Sequence, residues 1–183
     1  MRITPGDTND HVLVEGDIDV ADAATGWVRF AIYISTTFAS TADDIFNIYE
    51  WQQAGGTVEA SVSLQITATT DIVEIATGDG AAASTGCTYL SKGVWHVIES
   101  MITVSTGGTG VLDLYVDGAR VQNLTSQTHA AAVGRGVLGT QDTLSTTNAG
   151  YLLVDEFAFD DTRLAITHRF HTSRLITRSS FAF

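Results

Sequence analysis

Apolar and polar residues alternate with a period of two over many short stretches of this sequence. At residues 58–67 every even position is Val, Ala, Leu or Ile, and every odd position is Glu, Ser, Gln or Thr. Successive side chains of an extended strand point to opposite faces, so this pattern predicts a strand with one buried and one solvated face. Further candidate strands lie at residues 11–20, 27–34, 45–51, 71–76, 94–104, 111–115, 120–124, 133–138 and 151–159.

Turn signals separate these stretches. The clearest is Asp117-Gly118, which lies between two alternating runs and is typical of a two-residue hairpin that needs positive φ. Lys occurs once and Glu six times, so helix-forming surface residues are scarce. Many short strands with regular turns predict an all-β fold, a two-sheet antiparallel β-sandwich. Residues 164–174 leave room for at most one short helix near the C-terminus.

Charge is distributed unevenly along the chain. The net charge is −12, all acidic residues precede Arg163, and the last 21 residues hold four arginines and no acid. We therefore predict one sandwich domain at residues 1–165 and a basic, aromatic C-terminal arm at residues 166–183. An acidic body repels phosphates, so nucleic acid is excluded as a partner.

The N-terminal residues lack the apolar core of a signal peptide, and no stretch approaches the about 20 apolar residues of a membrane span. The single cysteine, Cys87, excludes an intrachain disulfide framework, and its Gly- and Thr-rich surroundings favour a passive thiol. We expect a protein that is made without classical export and has no membrane partner.

Several segments resemble a known family. Residues 95–97 read Trp-His-Val, and residues 112–118 read Leu-Asp-Leu-Tyr-Val-Asp-Gly. Gly-Val-Leu-Gly at residues 136–139 and Asp-Glu-Phe at residues 155–157 follow in order. Together they resemble the core of laminin-G-like domains in the concanavalin A-like lectin/glucanase superfamily, over about residues 26–165. The resemblance implies a two-sheet jelly roll, a fold that hosts many functions.

No catalytic constellation is apparent. The glucanase branch of this superfamily carries its paired carboxylates on a Glu-x-Asp-x-x-Glu strand, and that spacing is absent here. Asp155 and Glu156 are neighbours and should face opposite sides of a strand. We expect Trp95 in the core and His96 on the outside. No metal motif connects the histidines, which are His11, His96, His129, His168 and His171.

Two binding functions stay open. We predict no cofactor, with calcium held by loop carboxylates as the alternative. The loop candidates are Asp7, Asp10, Asp43, Asp44, Asp79 and Asp142. Four aromatic residues could form a sugar-stacking platform or could be buried in the core. They are Trp27, Tyr33, Tyr49 and Trp51.

The arm combines arginines with apolar anchors, a composition favoured in protein–protein interfaces. Its predicted interface residues are Arg169, Arg174, Arg178, Phe181 and Phe183. The alternative is an edge strand packed on its own sheet.

A laminin-G-like domain without export signals, an acidic body and a basic arm lead us to expect a non-enzymatic structural protein of a virus particle. The expected role is that of a bacteriophage capsid decoration or minor capsid protein. Its partners would be other virion proteins and neighbouring copies in a homo-oligomeric assembly formed in the host cytoplasm, with a surface glycan as a further candidate. The alternative function is a carbohydrate-binding module or adhesin. A glycoside hydrolase or lyase is the least favoured.

Overall fold

The structure is a computed structural model that describes residues 2–4, 11–39, 44–66, 73–80, 87–140 and 149–164, with the backbone alone at residues 11–17, 44 and 140. The described strands are β1 (Arg2–Ile3), β2 (His11–Val20), β3 (Thr25–Ile34), β4 (Asp44–Gln52), β5 (Val58–Ile66), β6 (Val73–Asp79), β7 (Thr88–Leu90), β8 (Trp95–Thr103), β9 (Gly110–Val116), β10 (Ala119–Gln127), β11 (Val133–Thr140) and β12 (Leu152–Asp160).

These strands form two six-stranded sheets. Sheet A has the order β1-β12-β3-β8-β9-β10, and sheet B has the order β2-β11-β4-β5-β6-β7. Every pairing is antiparallel. The predicted all-β, two-sheet sandwich is therefore confirmed. The described ranges contain no helix, and hence none long and apolar enough to cross a membrane.

The core lies between the sheets and follows the predicted alternation. In β3, Val28, Phe30, Ile32 and Ile34 are fully buried in it, and β5 contributes Ala60, Val62, Leu64 and Ile66. Burial of such side chains stabilises each by about 1.5–3 kcal/mol, which fixes which face of each strand points inward. The outer faces are thereby left for polar side chains and for function.

A β-bulge interrupts the alternation in β4. The register with β5 shifts between Asn47 and Tyr49, so Ile48 and Tyr49 are both buried in the core. Trp51 is also fully buried, and its Nε1 donates a hydrogen bond to Ser100 Oγ at 3.1 Å. For Tyr49 and Trp51 the core alternative is therefore correct, and neither can stack on a sugar.

The hairpin between β9 and β10 is built as predicted. Asp117 has φ +51° and Gly118 has φ +84°, the left-handed values that a two-residue turn of this kind needs. Asp117 also binds the start of β8, because its carboxylate accepts hydrogen bonds from the Val97 N–H and from His96 Nδ1.

The prediction for residues 95 and 96 is wrong in both positions. His96 is buried, and its two ring nitrogens lie 2.8 Å from Asp117 Oδ2 and 3.0 Å from the Ser91 carbonyl oxygen. Trp95 instead lies on the outer face of sheet A and is 38% exposed. His96 can be buried because both of its ring nitrogens have a hydrogen-bond partner. Since side chains alternate along β8, the neighbouring Trp95 side chain then points outward.

One end of the sandwich is closed by the chain that crosses from β10 to β11. His129 Nδ1 accepts a hydrogen bond from the Ser105 N–H at 3.1 Å, and the His129 N–H donates to the Ser105 carbonyl oxygen. Glu59 Oε2 accepts from the Ala130 N–H, while its other oxygen accepts from the Gln53 side chain. These contacts anchor the crossover to β5.

Candidate functional site

Polar side chains from three neighbouring strands lie on the outer face of sheet B. They are Asn47, Glu50 and Gln52 of β4, Ser61 and Ser63 of β5, and Arg135 of β11. The β4 and β5 members are all buried, with Glu50 6% exposed and Ser61 fully enclosed. Buried polar groups are costly unless they are hydrogen-bonded, so this polar face is an unusual feature that requires an explanation.

The carboxylate of Glu50 is the centre of a hydrogen-bonded chain. Asn47 Nδ2 donates to Glu50 Oε1 at 2.9 Å, and Gln52 Nε2 donates to Glu50 Oε2. Ser63 Oγ donates to Asn47 Oδ1 at 2.8 Å, which fixes the orientation of that amide. Two amide donors thus hold the carboxylate from both sides.

The bulge in β4 makes this arrangement available. Residues 47 and 50 have opposite parity and would face opposite sides of a regular strand. The register shift between Asn47 and Tyr49 adds one residue, so Asn47 and Glu50 both point outward. Sequence alternation alone places them on opposite faces, so the site cannot be predicted from the sequence pattern.

Ser61 provides an open hydrogen-bonding group beside Glu50. The two residues are directly opposite each other in the β4–β5 register. The Ser61 hydroxyl is fully buried and has no hydrogen-bond partner among the described residues. A buried hydroxyl without a partner is costly, which is typical of a position that a ligand or water completes.

Arg135 supplies a cation at one end of the face. It pairs with Gln52 in the β11–β4 register. Its Nη1 lies 3.5 Å, and Gln52 Oε1 lies 4.0 Å, from the point where a Cβ on Gly56 would be. The guanidinium and the amide therefore both lie beside Gly56.

No metal centre is evident in the described ranges, where no three His, Cys, Asp or Glu side chains come together in a way that could hold an ion. Asp79 ends β6, and of Asp44 only the backbone is described. The other predicted calcium ligands, Asp7, Asp10, Asp43 and Asp142, lie outside the described residues. Burial raises the pKa of the Cys87 thiol, and its Sγ donates to the Ile75 carbonyl oxygen, as a passive thiol would.

The predicted arm also lies outside the described residues. This applies to all of its candidate interface residues, Arg169, Arg174, Arg178, Phe181 and Phe183, and to His168 and His171. The division into a sandwich domain at residues 1–165 and an arm at residues 166–183 therefore stays a prediction, as does an interface formed by the arm.

Comparison with known proteins gives the family. A family model described as "Polysaccharide lyase" matches residues 8–146. The chain belongs to the polysaccharide lyase family. The matched region contains the whole of β4 and β5 and the described part of β11, so the polar face of this family member lies within it. None of the curated proteins matches the chain.

Solved structures of lyases share the fold of this family member at low identity. An endo-β-1,4-glucuronan lyase from the fungus Trichoderma reesei has a TM-score of 0.55 and 17% identity over 88% of this chain and 80% of that one. The alginate lyase Aly36B in complex with alginate trisaccharide has a TM-score of 0.59 and 13% identity, covering 88% and 81%. The alginate lyase AlyA1 from Zobellia galactanivorans has a TM-score of 0.56 and 11% identity, covering 87% and 76%. The predicted concanavalin A-like jelly roll is confirmed.

The expected function is corrected by the family match. A non-enzymatic capsid decoration or minor capsid protein is contradicted, because the chain belongs to a family of lyases, and nothing found supports a bacteriophage protein. The absence of the paired carboxylates of glycoside hydrolysis favoured a non-enzymatic function, but elimination does not require that pair. The expected virion location and virion partners stay untested predictions.

Proposed function

We propose that the protein is a lyase that cleaves an acidic, uronate-containing polysaccharide by β-elimination on the outer face of sheet B. The family match supports the reaction class. The similar structures named as glucuronan and alginate lyases support a uronate substrate. The location rests on the buried Glu50 carboxylate, which two amides hold. Beside it lies a serine hydroxyl that has no hydrogen-bond partner among the described residues.

Elimination from a uronate makes three demands on a site. A base removes the proton from C5, next to the carboxylate, and the electron pair forms the C4–C5 double bond as the C4–O bond breaks. Hydrogen-bond donors or a cation must stabilise the negative charge that spreads onto the carboxylate. The departing glycosidic oxygen takes up one proton, which balances the one that the base removes from C5, so the reaction needs no water and no cofactor.

The polar face offers groups for the first two demands. Glu50 is the carboxylate that accepts the C5 proton, and Asn47 and Gln52 keep it in one orientation. Arg135, at the end of the same row, carries the charge that binds the substrate carboxylate, since a guanidinium matches a carboxylate with two parallel N–H donors. The Ser61 hydroxyl completes its hydrogen bonding with the sugar.

The test is eliminative cleavage of a polyuronate. The purified protein is incubated with glucuronan and with alginate, and the unsaturated product is followed by its ultraviolet absorbance. We expect Glu50→Gln to lower kcat by about 10²-fold or more, because the amide cannot accept the proton. Arg135→Lys is expected to raise KM more than it lowers kcat.

A matched control is Glu156→Gln, which makes the same chemical change at an exposed position on sheet A. It should leave kcat and KM unchanged. The proposal is wrong if the folded protein forms no unsaturated product from any polyuronate. Its location is wrong if Glu50→Gln and Glu156→Gln are equally active.

A further inference from the structure

A row of exposed and half-buried side chains crosses the outer face of sheet A, on the side of the molecule opposite to Glu50. In the strand register Trp95 of β8 pairs with Tyr33 of β3, Tyr33 pairs with Leu153 of β12, and Leu153 pairs with Arg2 of β1. Neighbouring strands are about 4.8 Å apart, so this row extends for about 14 Å across the sheet. We call these four residues, together with Tyr151, the aromatic row.

The rings of the row contact one another. The centroids of Tyr33 and Trp95 are 5.6 Å apart, and those of Tyr33 and Tyr151 are 6.3 Å apart with nearly parallel planes. The Arg2 guanidinium lies over the Tyr151 ring at 4.3 Å from its centroid. These distances are typical of ring stacking and of cation–π contacts, so the row is a continuous and ordered surface.

The row has no part in the core. Its side chains lie on the opposite side of sheet A from Ile32 and Ile34, which are two of the core residues of β3. Trp95 and its neighbour Val94 are among the most exposed large apolar residues described, at 38% and 47%. A contiguous exposed aromatic surface of this kind marks a binding site more often than a structural element.

Charge indicates which ligand fits. The chain carries a net charge of −12, yet no side chain of the row is a carboxylate, and one end of the row is the Arg2 cation. The next outward carboxylate along β12, Asp155, accepts a hydrogen bond from the Glu156 N–H at 2.9 Å. Aromatic faces with a guanidinium at one end match a chain of pyranose rings that bear carboxylates.

We infer that the aromatic row is a second, non-catalytic binding surface for an acidic polysaccharide. Sugar rings stack on Trp95 and Tyr33, and a uronate carboxylate pairs with Arg2, which lies over the Tyr151 ring. That the ligand is the polymer cleaved at Glu50 rests on the proposed function. Because the two surfaces lie on opposite faces of the sandwich, the row acts by holding polymer near the molecule, which raises the effective concentration of cleavable chain.

Affinity electrophoresis tests the binding. The parent is the Glu50→Gln protein, so that polymer in the gel stays intact, and the gels contain glucuronan, alginate or a neutral β-glucan. We expect retardation in the acidic gels, and Tyr33→Ala/Trp95→Ala should raise the apparent Kd at least tenfold. Arg2→Ala should weaken retardation in the acidic gels alone.

Two controls separate stacking from folding. Tyr33→Phe/Trp95→Phe keeps aromatic faces and should retain most of the binding. Tyr89→Ala removes a 64% exposed tyrosine from β7 of the other sheet and should leave binding unchanged. Unchanged retardation of Tyr33→Ala/Trp95→Ala overturns the inference, as does equal retardation in the neutral gel.

Activity and size measurements distinguish the remaining outcomes. With Glu50 present, Tyr33→Ala/Trp95→Ala should lower kcat/KM on polymer several-fold and leave it unchanged on a tetrasaccharide. If the variant dissociates a dimer without affecting polymer binding, the row is an interface between copies and the inference fails. If polymer binding depends on Tyr33 and Trp95 but no unsaturated product forms, the inference of a binding surface is supported and the proposed lyase function is wrong.

Discussion

At the scale of single residues, Glu99 and Arg163 form an ion pair on the outer face of sheet A. Glu99 is almost completely buried, and Arg163 reaches both of its oxygens, at 2.8 Å from Nη2 and 3.4 Å from Nε. The guanidinium also lies 4.0 Å from the centroid of the Tyr115 ring. The hydrogen bonds to Glu99 raise the pKa of Arg163, as expected for a cation held by a carboxylate.

Removing the arginine should therefore destabilise the protein. Arg163→Ala leaves the buried Glu99 carboxylate without this partner and should lower the free energy of unfolding by about 1–3 kcal/mol. Arg163→Lys keeps the charge but loses the paired donors, so its effect should be smaller. Urea denaturation measures both. If Glu99→Gln in the Arg163→Ala background restores none of the loss, the penalty does not come from the orphaned carboxylate.

His129 should make stability depend on pH. Burial lowers its pKa, against the raising effect of the nearby carboxylates of Asp79 and Glu59. The folded state therefore keeps His129 neutral while the unfolded chain takes up a proton near pH 6.5. Stability is full above that pH and falls as the pH drops from about 6.5 towards the lowered pKa of the folded state.

The measurement compares urea midpoints at pH 7.5 and pH 5. His129→Asn keeps an acceptor for the Ser105 N–H but cannot be protonated, so its midpoint should fall less on acidification than that of the wild type. Equal losses in the two proteins would show that other groups set the acid sensitivity.

At the scale of strands, the close approach of β11 to β4 depends on Gly136. A Cβ on Gly136 would lie 2.5 Å from the Tyr49 hydroxyl oxygen and 3.1 Å from Ile18 Cδ1. That hydroxyl is buried, and it has no hydrogen-bond partner in the part of the chain that is described. Burial also raises the pKa of Tyr49 well above its ordinary value.

These contacts give a double-mutant prediction. Gly136→Ala should cost about 1–3 kcal/mol of stability by overpacking. Tyr49→Phe removes an unpaired buried hydroxyl and should stabilise the protein by up to about 1 kcal/mol. In the Tyr49→Phe background the cost of Gly136→Ala should be smaller, because the colliding atom is gone. Additive effects in thermal or urea unfolding would contradict this steric account.

The regularity of strand alternation also determines which side-chain directions can be predicted from the sequence. The inward faces of β3 and of β5 from Ala60 to Ile66 follow directly from it, since both stretches alternate regularly and one face is apolar. The outward direction of Glu50 does not follow, because a bulge in β4 changes parity within the strand. Strands β1 and β7, with two and three residues, are too short to show a period.

At the scale of the whole molecule, the sequence does not distinguish a solvated face from a buried polar one. The odd positions of β5 predict a solvated face, yet Glu59, Ser61 and Ser63 are buried. Serine is common on solvated faces and on buried polar faces. Whether the outer face of β5 is buried depends on the residues that pack against that face. The candidate site could be recognised only after three strands were placed side by side.

The two outer faces should act independently. They are separated by the thickness of a sandwich whose sheets pack about 10 Å apart, and no residue belongs to both. In the Glu50→Gln protein, which leaves the polymer intact, the change in polymer affinity caused by Tyr33→Ala/Trp95→Ala should therefore be equal with Arg or with Lys at position 135, within about 0.5 kcal/mol. Isothermal titration with oligosaccharides too short to bridge both faces, and then with polymer, measures it. A larger difference on the short ligands would mean that both sets of residues contact one binding site. That result would contradict the independence of the two faces.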